Sequence, residues 1–161
     1  MSEIHLAYLN LGSNIQPEAN LLKAAQSLSE YGEVQKVSNV WESKSVGAEG
    51  PNYLNVCIFF KTTFGQVELK EQVIHPIEAH LGRERNKDKY SPRPIDIDIV
   101  LFDDKPVNEN SWRLAYVVVP LAEIYPAYRN PVTGENIVET ATRLRRAVWL
   151  ETRRGVLRAL P

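Results

Sequence analysis

The stretch that most limits how this chain can fold is Arg93-Pro94-Ile95-Asp96-Ile97-Asp98-Ile99-Val100-Leu101-Phe102, an apolar run broken by two carboxylates two residues apart. Side chains alternate across a strand, so Ile95, Ile97, Ile99 and Leu101 are expected on one face and Asp96, Asp98, Val100 and Phe102 on the other. At the usual strand rise the two Asp Cα atoms lie roughly 6.5 to 7 Å apart with both carboxylates pointing the same way. Like charges that close repel. A raised pKa, a recruited Arg or Lys, or divalent cations held between the carboxylates and a polyanion relieves the repulsion. Arg83, Arg85, Lys87, Lys89 and Arg93 precede the strand in a polar loop and are suited to face phosphate. A generic Asp-x-Asp is most often the wet face of a one-sided strand. Here that face continues as Val100 and Phe102, and Asp is depleted from strands, so the pair marks a candidate site.

The rest of the chain supplies one domain, residues 1–161, with enough apolar content (43%) to bury a core. A net charge of -1 gives no global pull toward nucleic acid or membrane, although Arg143 to Arg158 forms a basic tail, expected as solvated surface. The lone Cys57 excludes an intrachain disulfide and fits a reducing compartment. With no signal-peptide pattern and no apolar run of membrane-spanning length, a cytoplasmic location is expected. His5, His75 and His80 show no metal-ligand spacing. No G-x-x-x-x-G-K-[ST] occurs, so a P-loop is excluded as a nucleotide holder.

Ile4 to Leu11 reads as a strand, Gly12-Ser13-Asn14 as a turn, and Pro17 as the opening of a helix with Leu21, Leu22, Ala24, Ala25, Leu28 and Tyr31 on one face, stopped at Gly32. Val34 to Ser43 does not alternate cleanly and predicts a bulged strand. Leu54 to Thr62 predicts a regular strand with Leu54, Val56, Ile58 and Phe60 opposite Asn55, Cys57, Phe59 and Lys61. Gln66 to Leu81 predicts a helix kinked by Pro76. A strand is expected over Trp112 to Val119, a helix over Glu135 to Arg146, and a short edge strand after it. The order strand, helix, strand, strand, helix, strand predicts an α+β, ferredoxin-like βαββαβ antiparallel sheet with helices packed on one side, extra C-terminal helix and strand elements, and the Asp-x-Asp strand at its centre.

Several runs carry a family resemblance: Gly12-Ser13-Asn14, Tyr53-Leu54-Asn55, Arg83-x-Arg85, Tyr90-x-Pro92-Arg93-x-Ile95-Asp96-Ile97-Asp98 and Pro120-Leu121-Ala122-Glu123-Ile124-Tyr125-Pro126. Together they span residues 4 to about 126 and resemble the 6-hydroxymethyl-7,8-dihydropterin pyrophosphokinases of the folate pathway. The resemblance implies transfer of diphosphate from MgATP to a pterin alcohol. It implies two Mg²⁺ ions held by Asp96 and Asp98, and transfer supported by Arg83, Arg93 and Asp98. It also implies a pterin pocket of Ser43, Val46, Tyr53, Asn55 and Tyr116, with Glu78, Arg85, Tyr90 and Ile99 on the nucleotide side. Chemically, Tyr offers a flat face and Asn a donor and an acceptor, which suits a pterin's edge.

The chain departs from the family pattern in two places. Lys44 stands where Pro is usual, and the connection before Trp112 lacks a Pro-His-Pro-like segment, with Arg113 three rather than two residues ahead of Tyr116. A β-bulge between Arg113 and Tyr116 is expected to turn the guanidinium to the cleft. The alternative these departures leave open is a pterin-binding relative with weakened or lost transfer. A two-metal nuclease is disfavoured, because there is no broad basic face. Both substrates are small molecules, and the sequence does not define an oligomeric state.

Overall fold

The computed structural model describes residues 3–45, 49–83 and 92–157. Strand β1 (His5–Ser13), helix α1 (Pro17–Leu28), strands β2 (Glu33–Val37), β3 (Val40–Ser43) and β4 (Tyr53–Thr62) lead into a second helix in three parts. These are α2 (Gln66–Glu68), a π-helical segment Leu69–Ile74 and α3 (His75–His80). Strands β5 (Asp96–Phe102) and β6 (Lys105–Pro106), a 3-10 turn Glu109–Arg113, helices α4 (Ala115–Ile124) and α5 (Ile137–Arg145) and strand β7 (Leu150–Arg153) follow. The strands order as β6-β5-β1-β4-β3-β7, with β2 also on β4, and every pairing is antiparallel. Each of the first two helical connections joins strands that run the same way with one strand between them, which is the split βαβ unit. Contrary to expectation, the Asp-x-Asp strand is not central: β1 and β4 take the middle and β5 has only the two-residue β6 outside it.

Alternation divides the sheet into two faces. Ala7, Leu9 and Leu11 of β1 and Leu54, Val56, Ile58 and Phe60 of β4 pack against α1 and the second helix. Tyr8, Cys57, Val100 and Leu101 pack under α4 and α5. The helices of the βαββαβ unit therefore share one side, and the C-terminal helices cover part of the other. Burying an aliphatic side chain contributes about 1.5 to 3 kcal/mol, so these two layers supply the main driving force. On β5 the expected alternation fails beyond Val100. Tyr8 pairs with Leu101 but Leu9 pairs with Ile99, so Val100 is an extra residue in a bulge. Leu101 thereby joins Val100 on the acid-bearing face and Phe102 turns to the other.

Three local outcomes differ from expectation for physical reasons. The Trp112 to Val119 stretch is a 3-10 turn and the start of α4, because Ala115, Val117, Val118, Val119 and Leu121 are all buried, and helix burial overrides the strand preference of a Val run. With no strand there, the proposed bulge at Arg113 does not exist, and Arg113 is exposed. Pro76 falls at the start of α3 just after the π-helical turn, whose wider register accommodates a residue without an N–H. Gly32 is not a helix stop. A Cβ there would lie 2.5 Å from the Lys61 carbonyl oxygen and 2.6 Å from the Phe60 ring, so the glycine permits close backbone approach to β4. Of the basic tail, Arg145 lies 4.9 Å over the Trp41 ring, and Arg153 pairs with Glu42 at 2.7 Å and Glu18 at 3.0 Å. Among the described residues no helix is long and apolar enough to cross a membrane.

Candidate active site

The site is built on the sheet face that carries Asp96 and Asp98, at the end α4 leaves open. Register places Asp96 beside Gly12 and Gly12 beside Asn55, which in turn faces Trp41 on β3; one row deeper, Asp98 stands beside Asn10 and Asn10 beside Cys57. A cavity of about 220 Å³ opens over these rows. Its lining comes from β1 (Asn10, Gly12), the β3 end (Ser43, Lys44, Ser45), β4 (Tyr53, Asn55), the β5 approach (Arg93, Asp96) and the first turn of α4 (Tyr116). Ser43, Tyr53, Asn55, Tyr116, Asp96 and Arg93, six residues expected from sequence, are thus in one place.

Asn55 is oriented by its surroundings. Its Nδ2 donates to Ser43 Oγ at 2.8 Å and to the Trp41 carbonyl at 3.3 Å, which leaves Oδ1 as the group available to a ligand. A Cβ on Gly12 would lie 3.1 Å from that Oδ1, so only glycine leaves the amide's edge open. Burial raises the Tyr53 and Tyr116 phenol pKa values, and the nearby Asp98 and Asp96 charges add to the effect at Tyr116. Both rings are therefore neutral walls at physiological pH.

The acid side is held by paired cations. Arg83 Nη1 meets Asp96 Oδ1 at 2.7 Å and also the carboxylate of Glu78, while Arg93 Nη1 meets Asp96 Oδ2 at 3.3 Å. Glu78 is buried rather than at the surface, and its Oε2 accepts the Ile97 N–H at 3.0 Å. Asp98, beside Asn10 and next to the cavity lining, is exposed on one side, yet protein surrounds it on most others. That partial desolvation, with the charges of Asp96 and Glu78, pushes its carboxyl pKa up to about 7 against the pull of Arg83. Ile99 is half-buried on the opposite face against the α1 core, so its side chain does not line the cavity. Val46, Arg85 and Tyr90 lie outside the described residues.

Sequence reasoning undervalued the Gly-Ser-Asn turn. Asn14 Oδ1 accepts the Arg93 N–H at 2.7 Å, its own N–H donates to the Arg93 carbonyl at 3.1 Å, and its Nδ2 donates to the Pro51 carbonyl at 3.3 Å. One side chain thereby fixes the chain on both sides of the cavity. The Glu123 of the Pro-Leu-x-Glu-Ile-x-Pro run also has a structural explanation. Its carboxylate accepts from Trp41 Nε1 and from the Asn39 backbone at 3.2 Å and side chain at 2.9 Å, pinning α4 to β3.

The cavity is thus walled by two tyrosine rings and an oriented Asn amide and lies beside an acid pair with fixed arginines, an arrangement of stacking faces, polar contacts and charge suited to small molecules. Residues 8–126 match the model of the 7,8-dihydro-6-hydroxymethylpterin-pyrophosphokinase (HPPK) family, and the chain belongs to that family. It is 36% identical over 140 residues to the 2-amino-4-hydroxy-6-hydroxymethyldihydropteridine pyrophosphokinase of Aquifex aeolicus, covering 78% of this chain and 86% of that one. To the protein of the same name from Synechocystis it is 29% identical over 159 residues, covering 91% and 80%. The crystal structure of Plasmodium falciparum HPPK-DHPS with pterin and p-hydroxybenzoate superposes with a TM-score of 0.72 at 15% identity, over 91% of this chain and 44% of that one, a likeness of fold.

Proposed function

We propose that the chain transfers the diphosphate of ATP to the hydroxymethyl group of 6-hydroxymethyl-7,8-dihydropterin and releases AMP. The observation that carries this reading is the continuity of the cavity: Tyr53, Asn55 and Tyr116 line the same space as Asp96 and Arg93. A ring seated against Asn55 on β4 directs its far end across Gly12 toward Asp96 on β5, about two strand spacings or 10 Å away. Tyr53 and Tyr116 supply flat faces, and Asn55 Oδ1 accepts from a ring N–H.

Asp96 and Asp98 are hard oxygen donors on one face and suit Mg²⁺, which takes one or two carboxylates and completes its shell with phosphate and water. Among the described residues no group of three or more His, Cys, Asp or Glu side chains could hold a metal ion. Two Mg²⁺ ions bound with ATP would neutralise charge on the triphosphate and on the transferred group. Arg83 and Arg93, held in place by Asp96, face the same charge. The alcohol oxygen attacks the β-phosphorus in line, its proton passes to Asp98 or to solvent, and the α–β bridge breaks with AMP as leaving group. No observation favours the pterin-binding relative without transfer. Release of AMP when hydroxymethyldihydropterin is added to protein and MgATP tests the proposal, and an AMP yield independent of pterin would refute it.

A further inference from the structure

Two buried side-chain polar atoms among the described residues have no hydrogen-bond partner, Asn10 Oδ1 and Trp112 Nε1. Trp112 stacks on Tyr128 at 5.7 Å and does not line the cavity, whereas Asn10 does. Asn10 is 4% exposed and sits in the β1 row directly between Asp98 and Cys57, one row deeper than Gly12. A buried carbonyl oxygen left without a donor is costly, and native chains seldom keep one without a use. Ala or Ser would fit a strand floor without that cost.

Resting on the pterin reading above, we infer that Asn10 is a further substrate-binding residue: its carboxamide hydrogen-bonds the hydroxyl of the substrate's hydroxymethyl group and sets the attacking oxygen beside the acid pair. Placement supports this assignment. Asn55 reads the ring from β4, the carboxylates stand on β5, and Asn10 lies on the strand between them, one row below Gly12 and beside Asp98, the proposed proton acceptor. The chemistry of the alcohol supports it too. A hydroxyl both donates and accepts, so it pairs with whichever atom of the Asn10 amide faces the cavity. A neutral amide cannot take the proton, so Asn10 orients the oxygen lone pair and leaves deprotonation to Asp98 or solvent.

The test compares 6-hydroxymethylpterin with 6-methylpterin, each titrated calorimetrically with Mg²⁺ and the α,β-methylene analogue of ATP present, on the unaltered protein, Asn10→Ala and Asn10→Ser. One neutral hydrogen bond corresponds to about a fivefold to tenfold preference for the hydroxymethyl ligand in the unaltered protein. Asn10→Ala and the shorter Asn10→Ser are expected to erase that preference while keeping 6-methylpterin affinity within about twofold. Ligand-free Asn10→Ala should melt no lower than the unaltered protein, since no protein partner is lost. Equal weakening of both ligands, an undiminished preference, or a lower ligand-free melting temperature in both variants would overturn the assignment to the hydroxyl. Failure of the unaltered protein to bind either pterin would instead remove the underlying pterin reading, and the inference with it.

Discussion

Arg83 Nη1 contacts the carboxylates of both Glu78 and Asp96, so one guanidinium nitrogen ties a buried acid of α3 to the cleft acid of β5. Glu78 also accepts the Ile97 N–H, which anchors the strand between the two Asp residues. The position of the acid pair is therefore set from below by an ion pair shielded from water.

Removing Glu78 should expose this dependence. Glu78→Ala leaves the Arg83 charge and the Ile97 N–H short of a partner in a largely buried setting, and such a loss typically costs about 3 kcal/mol. Glu78→Gln keeps an acceptor and should cost closer to about 1 kcal/mol. Urea unfolding measures both; equal, small losses would mean that the pair contributes little to stability.

Asp98 gives a pH prediction whose sign is fixed by its raised pKa of about 7. Folding of the metal-free protein favours the protonated form, so this contribution is fully present below the unfolded value of 3.8 and is lost as pH rises toward 7. Because Asp98 is exposed on one side, solvent screening reduces the penalty to about 1 kcal/mol. Asp98→Asn should therefore stabilise the metal-free protein at pH 8 and leave it little changed at pH 4. Mg²⁺ requires the deprotonated carboxylate, so its affinity in the presence of the ATP analogue should rise up to about tenfold per pH unit below 7 and level off above. A flat profile in the unaltered protein would contradict this.

Much of this site was legible because strand periodicity puts Asp96 and Asp98 on one face and Asn55 opposite Leu54 and Val56, and local alternation is all that inference needs. Bulge and helix placement depend on more. Nothing in Ile99-Val100-Leu101 announces that Val100 is the residue β1 skips, since register is decided by the pairing of two distant strands. The Val117-Val118-Val119 run reads as a strand because its helical state is stabilised by burial under two layers, which sequence spacing does not display. Asn10 was missed for a related reason. A single Asn in an apolar strand has no motif, and its significance comes from lacking a partner in three dimensions.

Gly12 predicts a pocket-specific loss. A methyl at 3.1 Å from Asn55 Oδ1 is tighter than ordinary contact and occupies the cavity floor. Gly12→Ala should weaken pterin binding by about tenfold or more, because the ring's N–H loses its acceptor and one such hydrogen bond left unmade costs about 1 to 3 kcal/mol. Nucleotide-analogue binding should change far less. Calorimetric titration separates the two ligands, and unaltered pterin affinity would show that the ring does not lie over Gly12.

Glu123 predicts coupling between α4 and the pocket. Its Oε1 takes the Trp41 indole N–H and its Oε2 takes both Asn39 donors, while the Trp41 carbonyl holds Asn55 Nδ2 at 3.3 Å. Tyr116 rides on the same helix as Glu123, two turns earlier. Glu123→Ala removes three donors' acceptor at a partly open position and leaves a largely buried indole N–H unpaired, a loss of about 2 kcal/mol. Because α4 then has one fewer tie to β3, Tyr116 and Asn55 should both become less well placed, and pterin affinity should fall about threefold to tenfold without loss of the fold. Glu123→Gln keeps one oxygen acceptor but puts an NH₂ against the other donors, so it should fall between the two. Urea unfolding and pterin titration on the same samples decide the matter. A drop in stability with unchanged pterin affinity would show that Glu123 only fastens the helix, and that Tyr116 is positioned by the packing of Ala115, Val118 and Leu121 alone.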